Sequence, residues 1–219
     1  MTFIVQFGNT SGAGPMDARG EGLEFAKAWL GTALAFAVLF SGGRVGGPQF
    51  LRILLTAALT AGLGVVLHEL AHRVVARHYG ATAHFVANDR MLIISIVLAF
   101  TGFLFAAPGA VWHSGWLTKR QVGLVAAAGP ITNMVLAVLF VVLLVSARTA
   151  DVSGLVTGGL VMGFYVNAML GIFNMLPLGP LDGTKVLAWS TPVFGGLLAV
   201  AAGIAFGLPR IIQGLPALF

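Results

Sequence analysis

The stretch Val65-Val66-Leu67-His68-Glu69-Leu70-Ala71-His72 lies near the end of a long apolar run and sets two imidazoles and a carboxylate into it. On a helix, residues four apart lie about 40° apart around the axis and about 6 Å along it. Both imidazoles can then reach one metal ion, while the carboxylate of Glu69 faces a water on that ion. The run itself reads as a membrane helix, where ionisable side chains are costly and mark function. What surrounds the motif has to account for that combination.

The 219-residue chain is 58% hydrophobic and only 9% charged, against about 25% charged in ordinary soluble domains. It reads as an all-α polytopic membrane protein in a lipid bilayer. With no cysteine, disulfides, thiolate metal sites and cysteine nucleophiles are excluded. The net charge of +5 comes from scattered basic residues, so it carries topology information and predicts no nucleic-acid partner. The first twenty residues lack a charged start and a continuous apolar core, unlike a cleaved signal peptide. Residues 1–22 are expected to be a flexible tail and residues 23–219 a single transmembrane domain.

Outward from the motif, one apolar segment runs from Leu23 to Phe40 and ends at the Gly-rich turn Ser41–Pro48. The motif helix runs from Phe50 to Tyr79. Thirty helical residues span about 45 Å, more than the ~30 Å hydrocarbon core, so His68 sits near one end and Arg73, Arg77 and His78 reach the interface. Met91–Ala107 is borderline for a span, and Phe103–His113 reads as strand, Pro-Gly turn, strand. Helices follow over Val122–Ala147 and Gly154–Asn174. In the latter, small residues four apart (Gly154/Gly158 and Gly159/Gly163) favour close helix approach. Asn174–Gly183 contains Pro177 and Pro180 and cannot stay helical. A last apolar segment covers Val193–Leu208. The expected architecture is five to six transmembrane helices plus a short membrane-associated β-hairpin or re-entrant element.

The seven carboxylates are Asp17, Glu21, Glu24, Glu69, Asp89, Asp151 and Asp182. Only Glu69 and Asp182 are set in membrane-depth sequence, where an ionised carboxylate needs a cation, a metal or water. A zinc ion on His68 and His72 would supply that charge, and two His, one Asp and a water complete a four-coordinate catalytic site. Topology tests the pairing. If Met91–Ala107 does not cross, His68, His72 and Asp182 lie near one face; if it crosses, they cannot share a metal. Arg19, Lys27, Arg73, Arg77, Arg90, Lys119, Arg120 and Lys185 then lie on the site's face, and Arg44, Arg52, Arg148 and Arg210 on the other. Eight basic residues against four place that face in the cytoplasm of a multi-pass cell-membrane protein.

With these residues assembled, the chain resembles the site-2 protease family of intramembrane zinc metalloproteases. The matching motifs are His68-Glu-Leu-Ala-His72, Gly129-Pro-Ile-Thr-Asn133 and Asn174-Met-Leu-Pro177-Leu-Gly-Pro180-Leu-Asp182-Gly183, in the family's order. They cover a catalytic core of about residues 50–190, without a PDZ-like insert. The resemblance implies one zinc ion on His68, His72 and Asp182, Glu69 as general base, and Asn174 positioning the substrate carbonyl or oxyanion. Asn133 stands beside Asn174 as a substrate-binding candidate, its alternative being an interhelical hydrogen bond that fixes packing.

The implied function is hydrolysis of peptide bonds within or near transmembrane segments of membrane proteins, by a zinc-activated water with Glu69 as base. A substrate helix must unwind before attack, and the segment Phe103-Leu104-Phe105 is expected to offer a strand edge that pairs with it. Two other readings remain. One is an ion or proton transporter that uses His68, Glu69 and Asp182 as a relay. The other is a zinc-binding homologue without peptidase activity. His78, His84 and His113 read as interfacial.

Overall fold

The computed structural model describes residues 18–104, 108–150 and 152–213. Helix α1 is Ala18–Phe40, so it begins ahead of the expected boundary at residue 22. Residues 1–17 lie outside the described residues. Helix α2 (Gly47–Ala57), a π-helical turn (Ala58–Gly62) and α3 (Leu63–His78) form one unbroken rod that carries the histidines. The indole of Trp29 on α1 donates to the Ala58 carbonyl at 2.8 Å, inside the widened turn. Next come β1 (Thr82–Ala87), α4 (Asp89–Ala99) and β2 (Gly109–Ser114). Then follow α5 (Lys119–Thr149), α6 (Gly154–Asn174) and α7 (Asp182–Trp189). The last elements are α8 (Thr191–Ala202), a second π-helical turn (Gly203–Gly207) and α9 (Leu208–Gln213).

Among the described residues, five helices are long and apolar enough to cross a membrane: Gly20–Phe40, Gly47–His78, Lys119–Thr149, Gly154–Asn174 and Thr191–Arg210. The chain is thus an all-α polytopic membrane protein with a small two-stranded sheet. Helix α4 is not among the five. Its 11 residues rise about 16 Å, half of the ~30 Å core. The Asn88 side chain starts it by accepting from the Met91 N–H, and Gly102 at φ 82° ends the turn beyond it. Helix α4 is thus too short to cross on its own, in keeping with the topology argument.

The sheet differs from the expected hairpin. Strand β2 pairs antiparallel with β1, with Phe85 opposite Val111; of the expected first strand, residues 105–107 lie outside the described residues. Phe103 and Leu104 are in no strand, and Phe105 lies outside the described residues. The reason is burial. Strand β1 alternates, hiding Ala83, Phe85 and Ala87, and Phe85 stacks on Phe25 of α1 with ring centroids 4.6 Å apart. Phe103 is 59% exposed and has no such face to cover.

The far edge of β1 is closed by side chains. The Phe85 N–H donates to Glu21 and the Ala87 N–H to Glu24, at 3.1 and 2.9 Å. Arg77 donates to the Ala83 carbonyl. Edge groups left open invite pairing with other chains, so this sheet offers its second edge only at β2. Glu21 is also the buried partner of Arg73, with contacts of 2.6 and 2.7 Å, which ties α1 to α3. Glu21→Ala removes the acceptor of both Arg73 and Phe85. We expect it to lower stability by about 1–3 kcal/mol, seen as a fall in Tm in detergent. An unchanged Tm would show that the tie contributes nothing.

Helix α5 is the centre of the bundle, lying against α3, α6 and α7. The glycines of α6 divide. Gly159 and Gly163 meet Thr56 and Phe140, whereas nothing lies within 4 Å of a side chain added at Gly154 or Gly158. Only the second pair of the expected small-residue spacing serves packing.

Candidate metal centre

His68 and His72 project from the same face of α3 and are both buried. Their rings meet edge to face, with centroids 4.7 Å apart. Asp182 begins α7 immediately after the proline-containing loop, where its carboxylate is also buried. A side chain at Gly183 would run into the carbonyls of Met175 and Leu176. That close approach draws the start of α7 back onto the end of α6. As a result, the Nε2 atoms of both histidines lie 3.2 Å from Oδ2 of Asp182. Lys185, one turn along α7, holds the other carboxylate oxygen at 3.6 Å.

The second ring nitrogens identify the proton positions. Nδ1 of His72 is 2.7 Å from the Val125 carbonyl, which can only accept. Nδ1 of His68 faces Oδ1 of Asn133. Each Nδ1–H therefore donates outward, and each Nε2 faces a carboxylate oxygen. With both imidazoles neutral, three acceptors converge in a buried site, an arrangement that a cation between them satisfies. A four-coordinate zinc with bonds of about 2.0–2.1 Å keeps its ligand atoms about 3.3 Å apart, close to the two separations seen. His68, His72 and Asp182 are the group of ligand atoms, all within 4.8 Å of one another, that can hold a metal among the described residues. They fit a single zinc ion. Room for it depends on α5, because a side chain at Gly129 would overlap Nε2 of both histidines.

The centre opens onto a cavity of about 200 Å³ whose lining includes Glu69, Asn174, Lys185 and, from β2, Val111 and His113. Glu69 and Asn174 thus face the same cavity as His68, His72 and Asp182. Asn174 donates to the Leu170 carbonyl at 3.0 Å, which uses one of its amide hydrogens. Asn133 is fully buried, and its amide is committed to His68, to the Gly64 carbonyl and to Asn167. It also lines the cavity, so the amide that holds His68 in place stands at the wall of the site. Phe103 and Leu104 do not line this cavity.

The sequence reading missed His113 and Asn167. His113 was read as interfacial, yet its Nε2 is buried without a partner among the described residues. Burial and the Lys185 ammonium hold its imidazole below the usual range, so it is neutral near pH 7. The signal available was its place in a run whose outer-edge residues alternate toward the site. Asn167 is fully buried in the middle of a largely apolar helix, where a buried amide is itself a signal of an interhelical partner.

A polytopic helical protein that brings two histidines and an aspartate together beside a glutamate is a membrane-embedded metalloprotein of hydrolase type. Its relatives narrow the class. The chain is 38% identical over 162 residues to "Putative zinc metalloprotease MJ0611" of Methanocaldococcus jannaschii, covering 73% of this chain and 81% of that protein. It is 31% identical over 187 residues to "Putative zinc metalloprotease Rip3" of Mycobacterium tuberculosis, covering 79% of this chain but 42% of that protein. It is also 31% identical over 144 residues to "Putative zinc metalloprotease YwhC" of Bacillus subtilis, covering 59% of this chain and 66% of that one. No protein-family model matches the chain. No solved structure matches it either. The chain belongs to the site-2 protease family of zinc metalloproteases.

Proposed function

We propose that this protein is an intramembrane zinc metalloendopeptidase that hydrolyses peptide bonds within or near transmembrane segments of membrane-protein substrates. The observation that carries the reading is the convergence of His68, His72 and Asp182 beside Glu69, on a cavity walled by helices long enough to cross a bilayer. Zinc bound there supplies a Lewis acid that activates water and polarises a carbonyl. Glu69 takes a proton from the attacking water and delivers it to the leaving amine. Asn174 has a second amide hydrogen available for the substrate carbonyl. The eight-to-four distribution of basic residues supports a cytoplasmic active face in the cell membrane.

The substrate segment, once unwound, pairs with the open edge of β2. Because Phe85 and Ala87 turn their N–H groups to α1, their partners across the ladder, Val111 and Gly109, turn theirs the other way. Val111→Pro deletes one outward donor without touching the β1–β2 ladder. It should lower turnover about three- to tenfold, the worth of one hydrogen bond, with zinc retained. Unchanged turnover would remove β2 from substrate binding. The function as a whole is tested by cleavage of a membrane-helix substrate by the purified protein in proteoliposomes. Chelation of zinc should stop cleavage and added zinc restore it; cleavage that survives chelation, or none under any condition, defeats the reading.

A further inference from the structure

We infer that Asn167 is a positioning residue for the metal centre, acting through Asn133 to fix which ring nitrogen of His68 carries the proton. This rests on His68 being a zinc ligand, as proposed above, and extends it to a helix that contributes no ligand. A chain of hydrogen bonds runs across α6, α5 and α3. The Gly163 carbonyl accepts from Nδ2 of Asn167 at 2.9 Å, which turns Oδ1 of Asn167 toward Asn133. Nδ2 of Asn133 donates to that oxygen at 3.0 Å and to the Gly64 carbonyl at 3.1 Å. Oδ1 of Asn133 is thereby left facing Nδ1 of His68.

Each step allows one direction only. A helix carbonyl such as Gly163 cannot donate, so Asn167 presents its oxygen onward. Facing two acceptors, Asn133 presents its NH2 to them and its oxygen to His68. His68 must then carry its proton on Nδ1, which leaves the Nε2 lone pair for the metal. Reversing Asn133 would set its oxygen against the Gly64 carbonyl and the Asn167 oxygen, and would select the tautomer that cannot bind through Nε2. Both asparagines are fully buried, so water does not compete for these bonds. The packing is built around them: a side chain at Gly64 would overlap Oδ1 of Asn167.

The test compares two variants of one shape. In a helix, threonine donates to the carbonyl four residues back, here Gly163, and its oxygen can still accept from Asn133. Valine has the same outline and does neither. Zinc dissociation constants are measured by competition with a chromophoric chelator on the apo-protein in detergent, and folding is checked by helical content and Tm. Asn167→Val should bind zinc at least about tenfold more weakly than Asn167→Thr, within the 10–100-fold range of outer-sphere partners. In an Asn133→Leu background the difference between them should vanish. Histidine 15N spectra of the apo-protein should show His68 protonated at Nδ1 in the Thr variant and a mixture in the Val variant. Equal zinc affinity for the two variants, or a difference that persists without Asn133, overturns the inference. Should Asn167→Val fail to fold, the Asn167→Thr variant binding zinc as weakly as Asn133→Leu would overturn it equally. Failure of the wild-type protein to bind zinc at all would instead defeat the reading of the site.

Discussion

Glu69→Gln is expected to leave the zinc site loaded and to lower peptide-bond cleavage by about 10²–10⁴-fold, the usual worth of a general acid–base group. Glu69 is set between the two ligand histidines on α3 but does not belong to the ligand group. Its carboxylate lines the cavity beside them. Glutamine keeps the size and the hydrogen-bonding reach of the side chain and cannot take up a proton. Loss of metal is therefore not the expected cause of inactivity, which separates this variant from Asp182→Asn, where both should be lost. The measurement is zinc stoichiometry of the purified variant together with cleavage of a transmembrane substrate under the same conditions. Cleavage within tenfold of the wild type would remove Glu69 from the proton transfers.

The sequence was informative wherever burial cost or helical period acts within a few turns. The motif helix and α6 were legible because Gly-rich or proline-containing segments bound their apolar runs. Asp182 was legible because an ionised carboxylate at that depth needs a cation, a metal or water, and sharing a metal with the histidines also required Met91–Ala107 not to cross. Contacts between distant segments left weaker traces. Strand β1 is six residues of modest alternation, and its partner lies beyond α4, so the sequence showed β2 after the Pro-Gly turn but not that β1 pairs with it. Glu21 fell within the expected flexible tail because the groups that bury it, Arg73, Arg77 and the Phe85 N–H, are more than fifty residues away. The amide of Asn133 was left between substrate and interhelical packing because its hydrogen-bond partners on α3 and α6 become visible only once those helices are packed.

Gly129→Ala should abolish tight zinc binding while leaving the helix bundle folded. A methyl group at this position meets Nε2 of His68 and Nε2 of His72 together, the two atoms that must turn to the metal. Neither ring can swing aside cheaply. His72 is held at Nδ1 by the Val125 carbonyl and His68 by Asn133, so relief requires breaking a buried hydrogen bond or pushing α3 away from α5. Outer-sphere changes already cost about 10–100-fold in affinity; a group driven against the ligand atoms themselves should cost at least about 100-fold, and cleavage should be lost with the metal. Helix stability does not explain such a loss, because alanine favours a helix over glycine by about 1 kcal/mol. Gly158→Ala is the control, since its added methyl has nothing within 4 Å and should leave zinc affinity and activity unchanged. If Gly129→Ala bound zinc at wild-type strength, the two imidazoles could not be packed against α5 at this residue, and the close approach of α3 to α5 that assembles the centre would have to be abandoned.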